Sequence, residues 1–482
     1  MSLINQKKNQ HLLWRAGFGP AVSQLHDLSL LSPKQLYKDL LKSSIKEPVS
    51  LNIAGNNLQE MEMMDAVPRN QLSAEERKKI QQQNREGIKD LNLSWLKSMV
   101  NSEAQLREKM AFFWHGHFAC RNLNVRFQQG LLNVIRKNAL ENFGTLLKEV
   151  SQTPAMLNFL NNQQNRKDHP NENFAREVME LFTLGRGNYT EQDVKEAARA
   201  FTGWGFNLKG EFVFRKNQHD NGNKMVLGKT GILSGDDVLD ILLQQKQTAK
   251  FISRKIYKFF VNDQADDQKI NWLAERFYKN NYDIAGLMED IFTSDWFYDE
   301  KNIGTKIKSP VELLAGIQRM LPMELENEGS LIVLQRILGQ MLFYPPNVAG
   351  WPGGKTWIDS STLMMRMRIP QLISDNDELN VKPKDDDDQM MGRKDEPNKV
   401  ITTKRSKGAK PINAKVEWKT YISNFEKTPK EKLLKEMMEV LLQTNKGVSE
   451  AVINEYVNKN SREDFIKTAT IQIMSTPEYQ LC

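Results

Sequence analysis

Thr428-Pro-Lys-Glu-Lys-Leu-Leu-Lys-Glu-Met-Met438 reads as a helix with its start signal attached. The threonine hydroxyl can cap the first free amides, proline is pre-set for the first helical position, and Glu431 can reach back to the cap. Leu433, Leu434, Met437 and Met438 then recur three and four apart, the spacing of one buried helix face. Ser32-Pro33 with Gln35 and Ser309-Pro310 with Glu312 repeat the format. Ser73 with Glu76 and Ser102 with Gln105 are capping boxes without the proline. Strand signals are scarce. The one clear case is Gly205-Phe-Asn-Leu-Lys-Gly-Glu-Phe-Val-Phe214, in which Lys209-Gly210 can turn a short hairpin. The chain is therefore expected to be mainly α, a multi-helix globular body with one short β-hairpin and a helical C-terminal segment.

Working outward, 371–411 breaks the pattern. It is polar and charged, includes Asp385-Asp-Asp-Asp388, and lacks the apolar surface needed to offset its ordering entropy. This predicts a main body over 1–370 carrying the candidate site, a charged disordered linker or insertion over 371–411, and a helical segment over 412–482 packed on the body. The aspartate run lacks the glycine turn and spaced ligands of a calcium loop. No repeat of solenoid period is visible.

Composition narrows the function classes. The 482 residues include 39% hydrophobic and 26% charged, the balance of a globular protein rather than a disordered one. No apolar run approaches the roughly 18 residues of a membrane-spanning helix. Lys and Arg number 67 against 60 Asp and Glu, for a net charge of +7, but the basic residues are scattered rather than gathered with aromatics. Nucleic-acid binding is not expected. Two cysteines, Cys120 and Cys482, are too few for a disulfide framework, which suits a reducing compartment. The N-terminal Met1-Ser-Leu-Ile-Asn-Gln-Lys-Lys8 has no signal-peptide pattern, so a cytoplasmic location is the expectation from the residues alone.

Five segments could carry chemistry. Phe112-Phe-Trp-His-Gly-His-Phe118 offers His115 and His117, which could share an ion from an extended or fraying segment but not from a regular helix, where residues two apart diverge. Asn171-Glu-Asn-Phe-Ala-Arg-Glu-Val-Met-Glu-Leu-Phe-Thr-Leu-Gly185 places Glu177 and Glu180 on one helix face, above a core stripe of Val178, Leu181 and Phe182. Arg176 and Glu180, four apart, suit a plain surface ion pair. Glu177 has no cation at such spacing and is the better acid–base or metal candidate. In the next helix Asp193 reads first as a capping residue. Arg199 either pairs with Glu196 or faces an anionic ligand.

Gln218-His-Asp-Asn-Gly-Asn-Lys224 sets His219 beside Asp220 in a polar loop. Phe343-Tyr-Pro-Pro-Asn-Val-Ala-Gly-Trp-Pro-Gly-Gly-Lys-Thr-Trp357 is a rigid loop whose Trp351 and Trp357 could stack on a saccharide or peptide, or could plug the helical core. No phosphate-loop, dinucleotide, zincin or nucleophile-elbow motif is present.

Read together, these segments resemble a bacterial family, the domain-of-unknown-function family 1800. The resemblance rests on His11-Leu-Leu-Trp-Arg-Ala-Gly-Phe-Gly19, Phe113-Trp-His-Gly-His-Phe118, 171–185, 188–204 and His219-Asp220. Pro345-Pro-Asn-Val-Ala-Gly-Trp-Pro-Gly-Gly354 and Ser475-Thr-Pro-Glu-Tyr-Gln-Leu-Cys482 extend it nearly end to end. It implies no activity. It does imply that relatives are often exported, and that their genes lie beside those of a family resembling sulfatases and phosphatases, which suggests a partner protein of that kind.

The leading expectation is a metal-dependent hydrolase of a saccharide or peptide. His115, His117, His219 and Glu177 would hold a divalent ion, with Glu177, Glu180 and Asp220 as catalytic carboxylates and Trp351, Trp357 and Arg199 on the substrate. The alternative is a non-catalytic helical scaffold or polymer-binding accessory protein. Convergence of the three histidines and Glu177 would favour the first, and dispersal the second.

Overall fold

The computed structural model describes residues 2–53, 72–374, 414–444 and 446–482. Helices dominate it, as the capping signals predict. Ser73 and Ser309 complete their capping boxes with Glu76 and Glu312. Two expected starts shift. Ser102 lies outside its helix, which runs Gln105–His117, because its hydroxyl accepts from the Ala104 amide instead. Behind Thr428-Pro429 a 3-10 turn, Lys430–Lys432, precedes the helix Leu433–Leu441.

The hairpin forms where expected, Trp204–Phe206 against Phe212–Phe214. Two further two-stranded antiparallel sheets accompany it among the described residues. Lys224–Val226 pairs with Lys229–Gly231 through a turn in which Leu227 and Gly228 both have positive φ. Met323–Leu325 pairs with Ala414–Val416. Strands of three residues are too short to show alternation, and the last pairing joins segments far apart in sequence.

The chain divides into two compact units. One comprises Lys34–Phe297 with Phe343–Trp351. Its centre is the helix Gln105–His117, of which every residue but Gly116 is buried. Trp95, Phe118, Phe143 and Phe182 pack against its Trp114, His115 and His117. Inside this apolar surrounding Glu108 accepts from Arg136 and from Trp95 Nε1, so the buried charge is both paired and hydrogen-bonded.

The other unit comprises Met1–Pro33, Tyr298–Leu342 and Pro352–Cys482. Leu313, Ile317, Ile369, Tyr421, Met437 and Ile466 belong to its core. Arg15 Nη2 donates to the carbonyls of Asn302 and Cys482, both at 2.8 Å. Lys308 is buried with its ammonium 3.8 Å from the ring centres of both Trp14 and Tyr479. Burial pushes that amine down to about 7. Residues 371–374 end the helix Ser360–Ser374, and the rest of the expected linker, 375–411, lies outside the described residues. No helix among the described residues is long and apolar enough to cross a membrane.

Candidate functional site

The carboxylate segment begins on a side-chain cap. Asn171 Oδ1 accepts from the Asn173 amide, and the helix Glu172–Glu177 follows. At Val178 it widens into a π-helical turn, Val178–Thr183, with the Leu184 amide reaching back five residues to the Met179 carbonyl at 2.8 Å. The Thr183 hydroxyl donates to the Val178 carbonyl at 2.7 Å. Val178, Met179 and Phe182 are buried, while Leu181, expected in the stripe, is half-buried because the extra residue per turn rotates it outward. Gly185 then turns the chain with φ +81°, where a Cβ would come within 2.8 Å of Phe251. Thr190 and Asp193 form the predicted capping box of the helix Glu191–Ala200, and Asp193 also accepts from the Leu227 amide.

The ion pairs differ from the expected i,i+4 pair. Arg176 turns from Glu180 to bridge Glu172 and Glu191, which ties the two helices together. Glu180 Oε1 accepts from Arg186 Nε at 2.9 Å and Nη2 at 2.7 Å, and its Oε2 accepts from the Tyr189 hydroxyl at 2.5 Å. The tyrosine hydrogen bond, assisted by Arg186, holds Glu180 below the usual carboxyl range. Glu177 takes neither a hydrogen bond nor an ion pair among the described residues. Its partial burial and the neighbouring Glu180 charge raise its carboxyl instead. Two glutamates one turn apart thus have opposite protonation preferences. Spacing along the sequence does not mark Arg186 and Tyr189 as partners of Glu180, because it is the turn at Gly185–Gly187 that returns them to the helix they follow.

The second cluster lies across the helix Glu191–Ala200. Arg199 donates to Asp220 from Nε at 2.8 Å and Nη2 at 3.3 Å, and from Nη1 to Glu196 at 2.8 Å and to the Asn223 carbonyl at 3.2 Å. Four of its five N–H groups are thereby committed to the chain itself. Arg199 thus pairs with Glu196, the first of its two expected roles, and ties down the 219–223 loop. The Arg199 hydrogen bonds also hold Asp220 below its ordinary range. His219 is buried against Phe214, with Nδ1 2.9 Å from the Thr202 carbonyl. A carbonyl only accepts, so Nδ1 carries a proton.

His115 and His117 occupy a regular helix, and their rings diverge. His115 Nε2 accepts from the Phe343 amide at 3.3 Å, within rings of Trp95, Phe343 and Trp351 centred 5.0, 5.1 and 5.6 Å away. Burial lowers its pKa to about 3. His117 Nε2 donates to the Phe182 carbonyl at 3.2 Å, and its buried Nδ1 has no partner among the described residues. Burial, reinforced by the Lys255 charge, keeps it well below its ordinary value. Among the described residues no group of three or more His, Cys, Asp and Glu side chains is placed to hold a metal ion. The expected set of His115, His117, His219 and Glu177 is not brought together. Each imidazole is anchored by the backbone of a different segment, Phe343, Phe182 or Thr202.

The tryptophan loop divides. Trp351 is half-buried on His115, and Gly350 approaches so closely that a Cβ would sit 2.4 Å from the Gly116 carbonyl oxygen. Residues 343–351 thus cover the histidine helix. Trp357 is buried in the other unit, its carbonyl accepting from the Thr362 hydroxyl.

The protein is mainly helical and carries Glu180 on a π turn directly after Glu177. The profile of the family described as "Protein of unknown function (DUF1800)" matches residues 11–481. The chain belongs to that family. No curated protein and no solved structure matches it.

Proposed function

We propose that the chain is a hydrolase in which Glu177 is the general acid–base residue, acting on a saccharide or peptide. The observation that carries this reading is the divergence of Glu177 and Glu180, one raised and without a partner among the described residues, the other held low by Tyr189 and Arg186. Neighbouring carboxyls whose surroundings push their pKa values apart are the usual arrangement for acid–base work near neutral pH. Glu177 would give its proton to the leaving group and recover it from water. Glu180 would remain an anion that keeps the proton on Glu177 and offsets positive charge developing beside it. The π turn that follows Glu177 and carries Glu180 supports the reading, since such turns recur at functional sites. No metal step enters, because the candidate ligands do not assemble into one donor set.

The test is hydrolysis of glycan and peptide panels by the wild type and Glu177→Gln. The expected outcome is turnover lost by a factor of about 10²–10⁴ in a folded variant. Equal turnover in both proteins, or none by the wild type on either panel, would overturn the reading and leave a non-catalytic helical scaffold.

A further inference from the structure

A second site lies in the same unit, independent of the carboxylate pair, where charge is buried out of balance. Glu108 accepts from Arg136 Nε at 3.2 and 3.0 Å, from Arg136 Nη2 at 2.8 Å and from Trp95 Nε1 at 3.0 Å. Arg107 Nε stays 3.7 Å from the same carboxylate. Two guanidinium groups therefore share one glutamate, and the cluster carries one surplus positive charge. Arg107 is the poorly served member. It is 8% exposed, and Nη1 reaches the carbonyls of Ser44 at 3.4 Å and Lys46 at 2.5 Å. Its buried Nε has no hydrogen-bond partner among the described residues. Burial, with Arg136 close by, lowers the Arg107 pKa despite the opposing pull of Glu108. A buried cation without its own anion is costly, so an incoming carboxylate would relieve it.

Arg107 lines a cavity of about 390 Å³, toward the small end of the roughly 300–1,000 Å³ typical of ligand pockets. Its other charged lining residues are Lys46, Lys137, Glu47, Glu141 and Glu149. Glu149 is already taken, at 3.7 Å from Lys137 and by the Asn138 amide at 2.8 Å. Glu47 and Glu141 form no ion pair among the described residues. Phosphate would meet these carboxylates at close range. A molecule bearing one carboxylate and one ammonium would find a complement for each.

We propose that this cavity binds a small zwitterion, an α-amino acid or short peptide, with its carboxylate on Arg107 and its ammonium toward Glu47 and Glu141. The full chain is titrated calorimetrically with glycylglycine, its C-terminal amide, its N-acetyl form, free lysine and inorganic phosphate. Glycylglycine or lysine is expected to bind saturably at millimolar concentration. Each cap should weaken glycylglycine at least tenfold, and Arg107→Lys and Glu141→Gln should each do likewise. Arg107 also holds two backbone carbonyls, so Arg107→Lys can fail to fold, and the capped peptides on the wild type then decide. Indifference to both caps, tighter binding of phosphate, or no saturable binding of the dipeptide or lysine would overturn the proposal.

Discussion

Glu177 shows how one half-buried side chain can be read in two independent ways. Its carboxyl is raised in the folded chain, so the native state holds more protons than the unfolded state between the ordinary carboxyl range and the raised value. Its favourable contribution is complete in acid and is lost as pH rises through the native value. Glu177→Gln, the variant expected to lose turnover, should therefore melt at higher temperature than the wild type at pH 7–8. That gain should vanish below about pH 4, as calorimetry across pH would show.

His115 has the opposite sign. Its pKa falls from 6.5 to about 3, so its contribution is present above 6.5 and is lost as pH falls toward 3. His115→Gln keeps an acceptor for the Phe343 amide and should flatten that loss. Denaturant titrations at pH 7 and 4.5 should differ by roughly 2–3 kcal/mol less in the variant than in the wild type.

At the scale of the element, the π turn Val178–Thr183 is the decisive feature. It begins directly after Glu177, carries Glu180 and leads into the turn that brings Arg186 and Tyr189 back, so it sets how the two carboxylates are placed relative to each other. The Thr183 hydroxyl, fully buried, supports it through the Val178 carbonyl. Thr183→Val removes that hydrogen bond with little change of shape and should cost about 1 kcal/mol. Amide exchange should quicken over 178–184, and turnover should fall with it. Unchanged exchange there would show that the wide turn does not depend on the hydroxyl. None of this is visible in the sequence, because an α and a π turn use the same apolar residues and differ in which carbonyl each amide selects.

Across the whole molecule, each unit has its own buried free thiol. Cys120 is buried in one, its thiol donating to the Ala155 carbonyl, and Cys482 lies in the other, its own carbonyl accepting from Arg15. Arg15→Met removes the donor shared by Asn302 and Cys482 and should speed maleimide labelling of Cys482 while Cys120 stays protected. Equal labelling of both thiols would mean that the substitution loosens more than the unit in which Arg15 lies.

The helices, their best caps and the hairpin at 204–214 were legible in the sequence, as was the capping role of Asp193, because each depends on contacts within a few residues. The motifs that placed the chain in its family were legible for the same reason, since they are contiguous. The surroundings of each candidate residue were not. His115 became a buried acceptor through Phe343, 228 positions away, and Arg199 was committed to Asp220, 21 positions on. Glu180, four residues from Arg176, took Arg186 and Tyr189 instead because Arg176 turned to Glu191. Local backbone preference determines where helices start and stop. Burial and charge pairing depend on which distant segments share the same low-dielectric space, and only the tertiary structure decides that.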